Sequence, residues 1–169
     1  MSVGSLATLM TMLQAAPTLA DASVVFGEEN IAAQDYPLPM VVVEPTSGAF
    51  RSDGEPGYYQ NADVNLNNIW MKGQTIDLWL WAASLDPNAY PVDHADAIEC
   101  FEAQVLQALQ FQAPNGLKFH PVADRWQTDG KAVVRYGRAL VLTVVVDITI
   151  PDVLPVYATV ETVTQTASI

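Results

Sequence analysis

Apolar positions at helical spacing open the chain. They are Val3, Leu6, Leu9, Met10 and Leu13. Steps of three and four residues place these side chains on one face of a helix. Ser2 or Ser5 is suited to cap the start of this helix, and Pro17 ends it. Because no Lys or Arg lies near its start, we expect Met1–Ala20 to be a helix of the mature protein and not a secretory signal.

The opposite face of this first helix is polar but uncharged. It carries Thr8 and Thr11, and the first charged residue of the chain is Asp21. Solvent-facing helix surfaces usually carry charge. The pattern therefore indicates either contact with another subunit through Thr8 and Thr11, or a mildly polar exposed face of the kind found on monomers.

Two short β-branched runs follow. Ser23–Phe26 and Met40–Val43 are predicted strands. Between them, Pro37 and Pro39 argue against a helix in residues 27–39.

Residues 45–73 are rich in Gly, Pro, Asn and Asp, which predicts a long loop. Tyr58 and Tyr59 lie in this segment and are large aromatic side chains of the kind that anchor interfaces. We expect the loop to reach a neighbouring subunit through them. The alternative is that Trp70 and one tyrosine fill the core of their own subunit.

A central strand and a long helix come next. Thr75–Ala83 alternates aliphatic residues with Trp79 and Trp81, which indicates a strand buried on both faces. The following segment, up to about Phe111, has helical periodicity and acidic residues in its first turns. On this helix Glu102 lies beside the apolar stripe, where it either contacts a neighbour or extends to solvent along the edge of the stripe.

The last third of the chain predicts a hairpin and a long strand. Leu117–Gln127 forms the first strand, residues 128–130 the turn, and the chain returns from Lys131, with Gly137 marking a bulge. In Ala139–Ile150 the even positions are Leu, Val or Ile, so we expect that face to pack against a helix.

Together these elements predict one α+β domain. We expect it to span residues 1–152 and to contain a mixed, mostly antiparallel sheet flanked by two main helices, with the loop 45–73 inserted. Residues 153–169 form a C-terminal extension, which alternates Val, Ala and Thr and either adds a strand to a neighbouring sheet or is loose.

The charge of the chain is unevenly distributed. Residues 118–138 hold five of the seven cations against two acids, a balance of +3, whereas the remainder sets two cations against seventeen acids, a balance of −15. The cations proposed to contact a subunit or partner are Arg125, Lys131, Arg135 and Arg138. The net charge of −12 disfavours stable binding to nucleic acid or to an acidic membrane surface. Only 15% of residues are charged, which suggests that surface is buried between subunits.

Candidate chemistry is sparse. The chain contains no glycine-rich phosphate loop, nucleophile elbow or zinc-binding His pattern, and its single Cys100 excludes an internal disulfide. We therefore predict no catalytic, cofactor-binding or metal-binding residues and a protein that is not an enzyme. A small hydrolase that uses Asp77 or Asp147 is the catalytic alternative. The non-catalytic alternative is a monomeric module that binds a ligand with Tyr58, Tyr59 and Trp70.

The order of these parts resembles a family of bacteriophage proteins. An uncharged first helix precedes strands around VVFG and PLPMVVVEP, the strand TIDLWLWA, an acidic-start helix, a hairpin with Trp126 and the strand GRALVLTVVVDITIP. This layout, over residues 1–152, resembles the tail terminator, or tail completion, proteins of long-tailed bacteriophages and related neck proteins.

The resemblance implies a structural virion protein that assembles as a ring, commonly a hexamer. Such a ring ends polymerisation of the tail tube and joins the tail to the head connector, so the expected partners are copies of the chain, the tail tube protein and the connector or head-closure protein. DNA would pass through the lumen without specific binding. The protein would act in the virion neck after assembly in the host cytoplasm. The alternative within the same class is a head-closure or connector component.

Overall fold

The computed structural model describes residues 4–52, 70–83, 92–111, 113 and 115–150. The strands are β1 (Ser23–Phe26), β2 (Met40–Ser52), β3 (Trp70–Trp81), β4 (Phe119–Gln127) and β5 (Ala139–Ile150). The helices are α1 (Ser5–Ala15), α2 (Glu28–Ala33), α3 (Val92–Gln110) and α4 (Lys131–Tyr136), with a 3-10 turn at Pro17–Leu19.

All five strands belong to one sheet of order β1-β2-β3-β5-β4. β1 and β2 are parallel, whereas β4 and β5 are antiparallel, so the sheet is mixed. The predicted single α+β domain is thus confirmed, and β3 lies at the sheet centre as predicted. Contacts divide the chain into two compact units. The first contains residues 1–48 and 74–147, and the second contains residues 49–73 and 148–169.

One face of the sheet is covered by the two short helices. Trp79 and Trp81 of β3 and Val141 of β5 are buried there beneath α4. The ring centroid of Trp81 lies 6.0 Å from that of Trp79 and 5.7 Å from that of Tyr136. The Trp81 Nε1–H donates a 3.0 Å hydrogen bond to the Gly137 carbonyl oxygen, so this indole is both packed and hydrogen-bonded.

The other face of the sheet is covered by the two long helices. α1 contacts β1 and α3, and α3 contacts β4. The strand positions that alternate with the tryptophans, Ile76, Leu78 and Leu80, are fully buried on this face. The predicted apolar face of β5 is buried as well, at Leu140, Leu142, Val144 and Val146.

The predicted loop at residues 45–73 is wrong at both ends. β2 continues to Ser52 and β3 begins at Trp70, while residues 53–69 lie outside the described part of the chain. Thr46 Oγ1 donates to the Thr75 carbonyl oxygen at 3.1 Å, which links the two strands. Backbone pairing within the sheet therefore overrides the weak strand propensity of this segment.

The predicted tight turn after Gln127 is also wrong. β4 and β5 pair as an antiparallel hairpin, but the connection contains α4, so Lys131 and Arg135 lie on a helix and not on a returning strand. Ala132, Val133 and Tyr136 have helical spacing and are buried against the tryptophans. Burial of this apolar face stabilises a helix in place of the predicted strand. Gly137 follows α4, and the strand irregularity lies instead between Pro121 and Ala123.

A second short helix, α2, was not predicted. It ends at Ala33, ahead of the two prolines that were expected to exclude it. A residue of β2 caps the first turn of α2, because the Glu28 N–H donates a 2.7 Å hydrogen bond to a Glu44 carboxylate oxygen. Ile31 is buried and belongs to the cluster around the tryptophans.

The first helix is confirmed, but its buried face is rotated from the predicted one. Leu9 and Leu13 are fully buried as predicted, and Ser5 and Thr8 are buried beside them. Gly4 is the N-cap residue of α1, so no side chain at that position caps the helix. Ser5 does not cap the helix, because its hydroxyl donates to the Gln74 Oε1 of β3 at 2.8 Å.

Candidate functional site

A polar cluster around the buried Asp77 links three neighbouring strands. Asp77 on β3 is 6% exposed, and one of its carboxylate oxygens forms a 2.8 Å ion pair with Arg125 Nη2 on β4. The other oxygen accepts a 2.8 Å hydrogen bond from the Thr143 hydroxyl on β5. Arg125 Nη1 lies 3.2 Å from the same hydroxyl. The three side chains thus form a closed set of hydrogen bonds across β3, β5 and β4.

This geometry favours a structural role for Asp77. Both of its oxygens accept hydrogen bonds from side chains of neighbouring strands, which satisfies the buried carboxylate. Asp147, the other acid of the hydrolase alternative, is exposed on β5. Arg125 was predicted to contact a partner, and within the subunit it anchors the edge strand β4 to the sheet centre.

Arg135 is likewise engaged within its own subunit. Its guanidinium forms an ion pair with Asp35 and donates a 2.9 Å hydrogen bond to the Ile31 carbonyl oxygen. It also lies 5.4 Å from the centre of the Tyr136 ring. These contacts join α4 to the end of α2. Arg135 remains partly exposed, so its predicted interface role stays a prediction.

Lys131 and Arg138 flank the same helix and are exposed. Lys131 begins α4 and lines a shallow cleft with Glu28 and Glu29 of α2. Arg138 lies between α4 and β5. The structure thus brings Lys131, Arg135 and Arg138 to one region around α4, while Arg125 belongs to the sheet.

An apolar groove separates α1 from the C-terminal end of α3. Its volume is about 470 Å³, and none of its lining residues is charged. Thr8 and Thr11, the two threonines predicted to form an interface, both line it. Thr8 is buried and Thr11 is exposed. Phe111, at the end of α3, lines the groove while 62% of its surface is exposed.

Phe111 stands between two depressions of the surface. On one side is the α1–α3 groove, and on the other is a cleft of about 430 Å³ between α3 and the start of β4, lined also by Phe119. Helical spacing places Phe111 with Cys100 on the otherwise polar face of α3, a position that predicts contact with a neighbour. The absence of charge on both α1 and the end of α3 is the sequence signal for the groove beside it.

Glu102 forms an acid pair with an edge-strand carboxyl. It is half-buried on α3, which packs on β4. Burial, the negative charge of Asp124 on β4, a hydrogen bond with the Asp124 side chain and the charge of Glu99 together raise the pKa of Glu102 to about 7. Glu102 therefore carries a proton for part of the time at neutral pH.

The remaining candidates contribute no assembled chemistry. His94 is buried on α3, and burial lowers its pKa, whereas His120 and Cys100 are exposed. Among the described residues, no group of three or more His, Cys, Asp or Glu side chains is arranged to hold a metal ion. The helices of the described segments include none with the length and hydrophobicity needed to cross a membrane.

The aromatic residues predicted for the long loop are not tested by the structure. Tyr58 and Tyr59 lie outside the described residues, and only the backbone of Trp70 is described, at the start of β3. Their predicted roles, as interface contacts or as the walls of a ligand pocket, stay predictions.

No protein-family model matches the chain, and no curated protein matches it.

Proposed function

We propose that this protein is a non-enzymatic structural subunit of a phage neck. Copies of the chain would form a ring at the head-proximal end of the tail, end polymerisation of the tail tube and provide the surface to which the head connector binds. The observation that carries the proposal is the uncharged α1–α3 groove with Phe111 exposed on its rim. An exposed apolar surface of this kind is typical of a protein–protein contact.

The distribution of polar chemistry supports the same class of function. The buried acid Asp77 is held by Arg125 and Thr143, which favours a structural role over catalysis. The chain is strongly acidic outside residues 118–138, so positive and negative charge are unevenly distributed along it. A ring closes by contacts between unlike surfaces of successive subunits, which fits this asymmetry.

The acidic charge of the chain is compatible with passage of DNA through such a ring. An acidic protein surface repels the phosphate backbone, so a lumen lined by this chain would let DNA slide without binding. The same charge disfavours a role in which the protein binds DNA or an acidic membrane.

The test combines assembly with genetics. Native mass spectrometry of the purified chain, alone and with the tail tube protein, should detect a closed oligomer in at least one of the two conditions. A strict monomer in both would contradict the proposal. In a phage that lacks its terminator, the gene for this chain should restore tails of normal length. Restoration of head closure without correction of tail length would assign the chain to the connector instead.

A further inference from the structure

The lining of the α1–α3 groove suits an apolar occupant. Thr8 Oγ1 accepts a 2.9 Å hydrogen bond from Asn115 Nδ2, and Thr11 Oγ1 donates a 2.9 Å hydrogen bond to the Ala7 carbonyl oxygen. Its hydroxyl groups are therefore engaged within the subunit. The rest of the lining is apolar and includes Met12, Ala15 and Phe111. A charged segment would lose its hydration here without gaining a partner, so the groove selects against charge.

The edge strands β1 and β4 are poor alternatives for docking. β1 is four residues long, which leaves little backbone for a partner strand. β4 is longer but contains Pro121, an irregularity between Pro121 and Ala123, and the charged residues Asp124 and Arg125. Proline, bulges and charge are the features by which proteins protect edge strands from pairing. The groove is therefore better suited than either of these two strands to receive a segment of another copy.

The end of the chain has the composition that the groove requires. Nineteen residues follow Ile150, and only Asp152 and Glu161 among them are charged. Residues 153–160, VLPVYATV, are free of charge and contain five large apolar side chains. In a chain of net charge −12, this is a suitable segment to enter an uncharged apolar groove.

The register of the last hairpin places Val146 of β5 at the end of the sheet where α3 ends. Val146 of β5 pairs with Phe119 of β4. Phe119 and Phe111 line the same cleft, and Phe111 also lines the groove. β5 therefore runs toward the end of the sheet where α3 ends. From Pro151, ten extended residues span up to about 33 Å, which is enough to reach an adjoining subunit.

We propose that residues 153–160 of one copy dock in the α1–α3 groove of the next copy. This inference rests on the proposed ring and specifies the contact that links its successive subunits. Tail and groove are different surfaces, so the contact is heterologous, as closure of a ring requires. Each subunit gives one tail and receives one.

The first test uses full-length variants of the two surfaces. Ala15→Arg places a long charged side chain in the groove from an exposed position on α1, and Ala7→Arg is the matched control, exposed on the same helix outside the groove. Leu154→Glu puts a charge in the tail. Sedimentation velocity over a range of concentrations, alone and with the tail tube protein, should show about tenfold or greater weakening of self-association for Ala15→Arg and Leu154→Glu. Ala7→Arg should change it less than about twofold.

Mixing the two defective variants tests whether the tail acts between copies. Ala15→Arg keeps an intact tail and Leu154→Glu keeps an intact groove, so an equimolar mixture should form a heterodimer through one contact and no closed ring. Failure of the mixture to form that dimer, although both variants are monomeric, would overturn the exchange between copies. Normal rings from both variants would overturn the tail–groove contact while leaving the ring itself in place. A wild-type chain that remains monomeric even with tube protein would overturn both proposals.

Discussion

Asp77 shows at the scale of a residue how the sheet uses a buried charge. It sits among fully buried neighbours on β3, and Arg125 and Thr143 supply the hydrogen bonds that a buried carboxylate requires. Arg125 is half exposed, so its own charge remains partly hydrated. The ion pair therefore serves mainly to fix β4 in place and to provide a hydrogen-bond donor for the Asp77 carboxylate. Its net contribution to the free energy of unfolding is smaller.

Glu102 presents the opposite case, a carboxyl whose ionised form is disfavoured. Its pKa in the folded protein is about 7, against an ordinary value of 4.5. Because the folded state holds this proton more tightly than the unfolded state, the associated stability is fully present below pH 4.5 and is lost as the pH rises through about 7.

We expect Glu102→Gln to remove this pH dependence. At pH 8 the variant should be more stable than the wild type by about 1 kcal/mol, a value reduced for solvent screening of a partly exposed group. At pH 4 the two proteins should have nearly equal stability. Urea denaturation at both pH values measures the difference. Asp96→Asn, an exposed acid on the same helix, is the control and should show no comparable change between pH 5 and pH 8. If Glu102→Gln changed the free energy of unfolding by the same amount at every pH, ionisation of Glu102 would not be the cause of the pH dependence.

At the scale of an element, α4 is the part of the hairpin that most depends on tertiary contacts. It is only six residues long, which is too short to be stable alone. Three of its residues pack into the cluster around Trp81, and Trp81 donates a hydrogen bond to the Gly137 carbonyl that follows the helix. Gly137 has φ 88° and ψ −172°, a conformation that residues with a side chain rarely adopt.

Gly137→Ala should therefore destabilise the fold by about 1–3 kcal/mol through backbone strain. Gly4→Ala is the matched control, because Gly4 has φ −64° and a Cβ atom there meets nothing within 4 Å. Gly4→Ala should change the free energy of unfolding by no more than about 0.5 kcal/mol. Chemical denaturation of the two variants provides the comparison. Equal losses of stability at the two positions would show that a side chain at residue 137 does not strain the backbone.

At the scale of the whole molecule, surface charge is the property that the ring proposal uses. Arg125 and Arg135 form ion pairs inside the subunit, so their substitution would disturb the fold as well as an interface. Lys131 provides a cleaner test of the predicted basic contact. It is exposed at the first position of α4 and lines a cleft with Glu28 and Glu29 of α2.

Lys131→Glu should weaken assembly while leaving the fold intact. We expect self-association to fall by about tenfold in sedimentation experiments, with a thermal midpoint slightly below that of the wild type, because the new carboxylate lies in the same cleft as Glu28 and Glu29. Lys118→Glu changes the net charge by the same amount at an exposed position outside the predicted set, and it should have a smaller effect. If both variants weaken assembly equally, net charge and not a specific contact is responsible.

The sequence by itself determined the elements whose pattern is long and regular. The burial of β3 and β5, the extent of α3 and the core positions of α1 at Leu9 and Leu13 follow from hydrophobic periodicity, which records the burial of each side chain directly. The uncharged surface of α1 was also visible in the sequence, and it led to Thr8 and Thr11 at the groove.

The tertiary structure alone decided the features that depend on residues distant in sequence. α2 takes its cap from Glu44, sixteen residues away, and Asp77 finds Arg125 and Thr143 on two other strands. The groove exists because α1 and the end of α3 are brought side by side, which places Phe111 on its rim. Local propensity carries no information about such partners, because they meet only when the chain has folded.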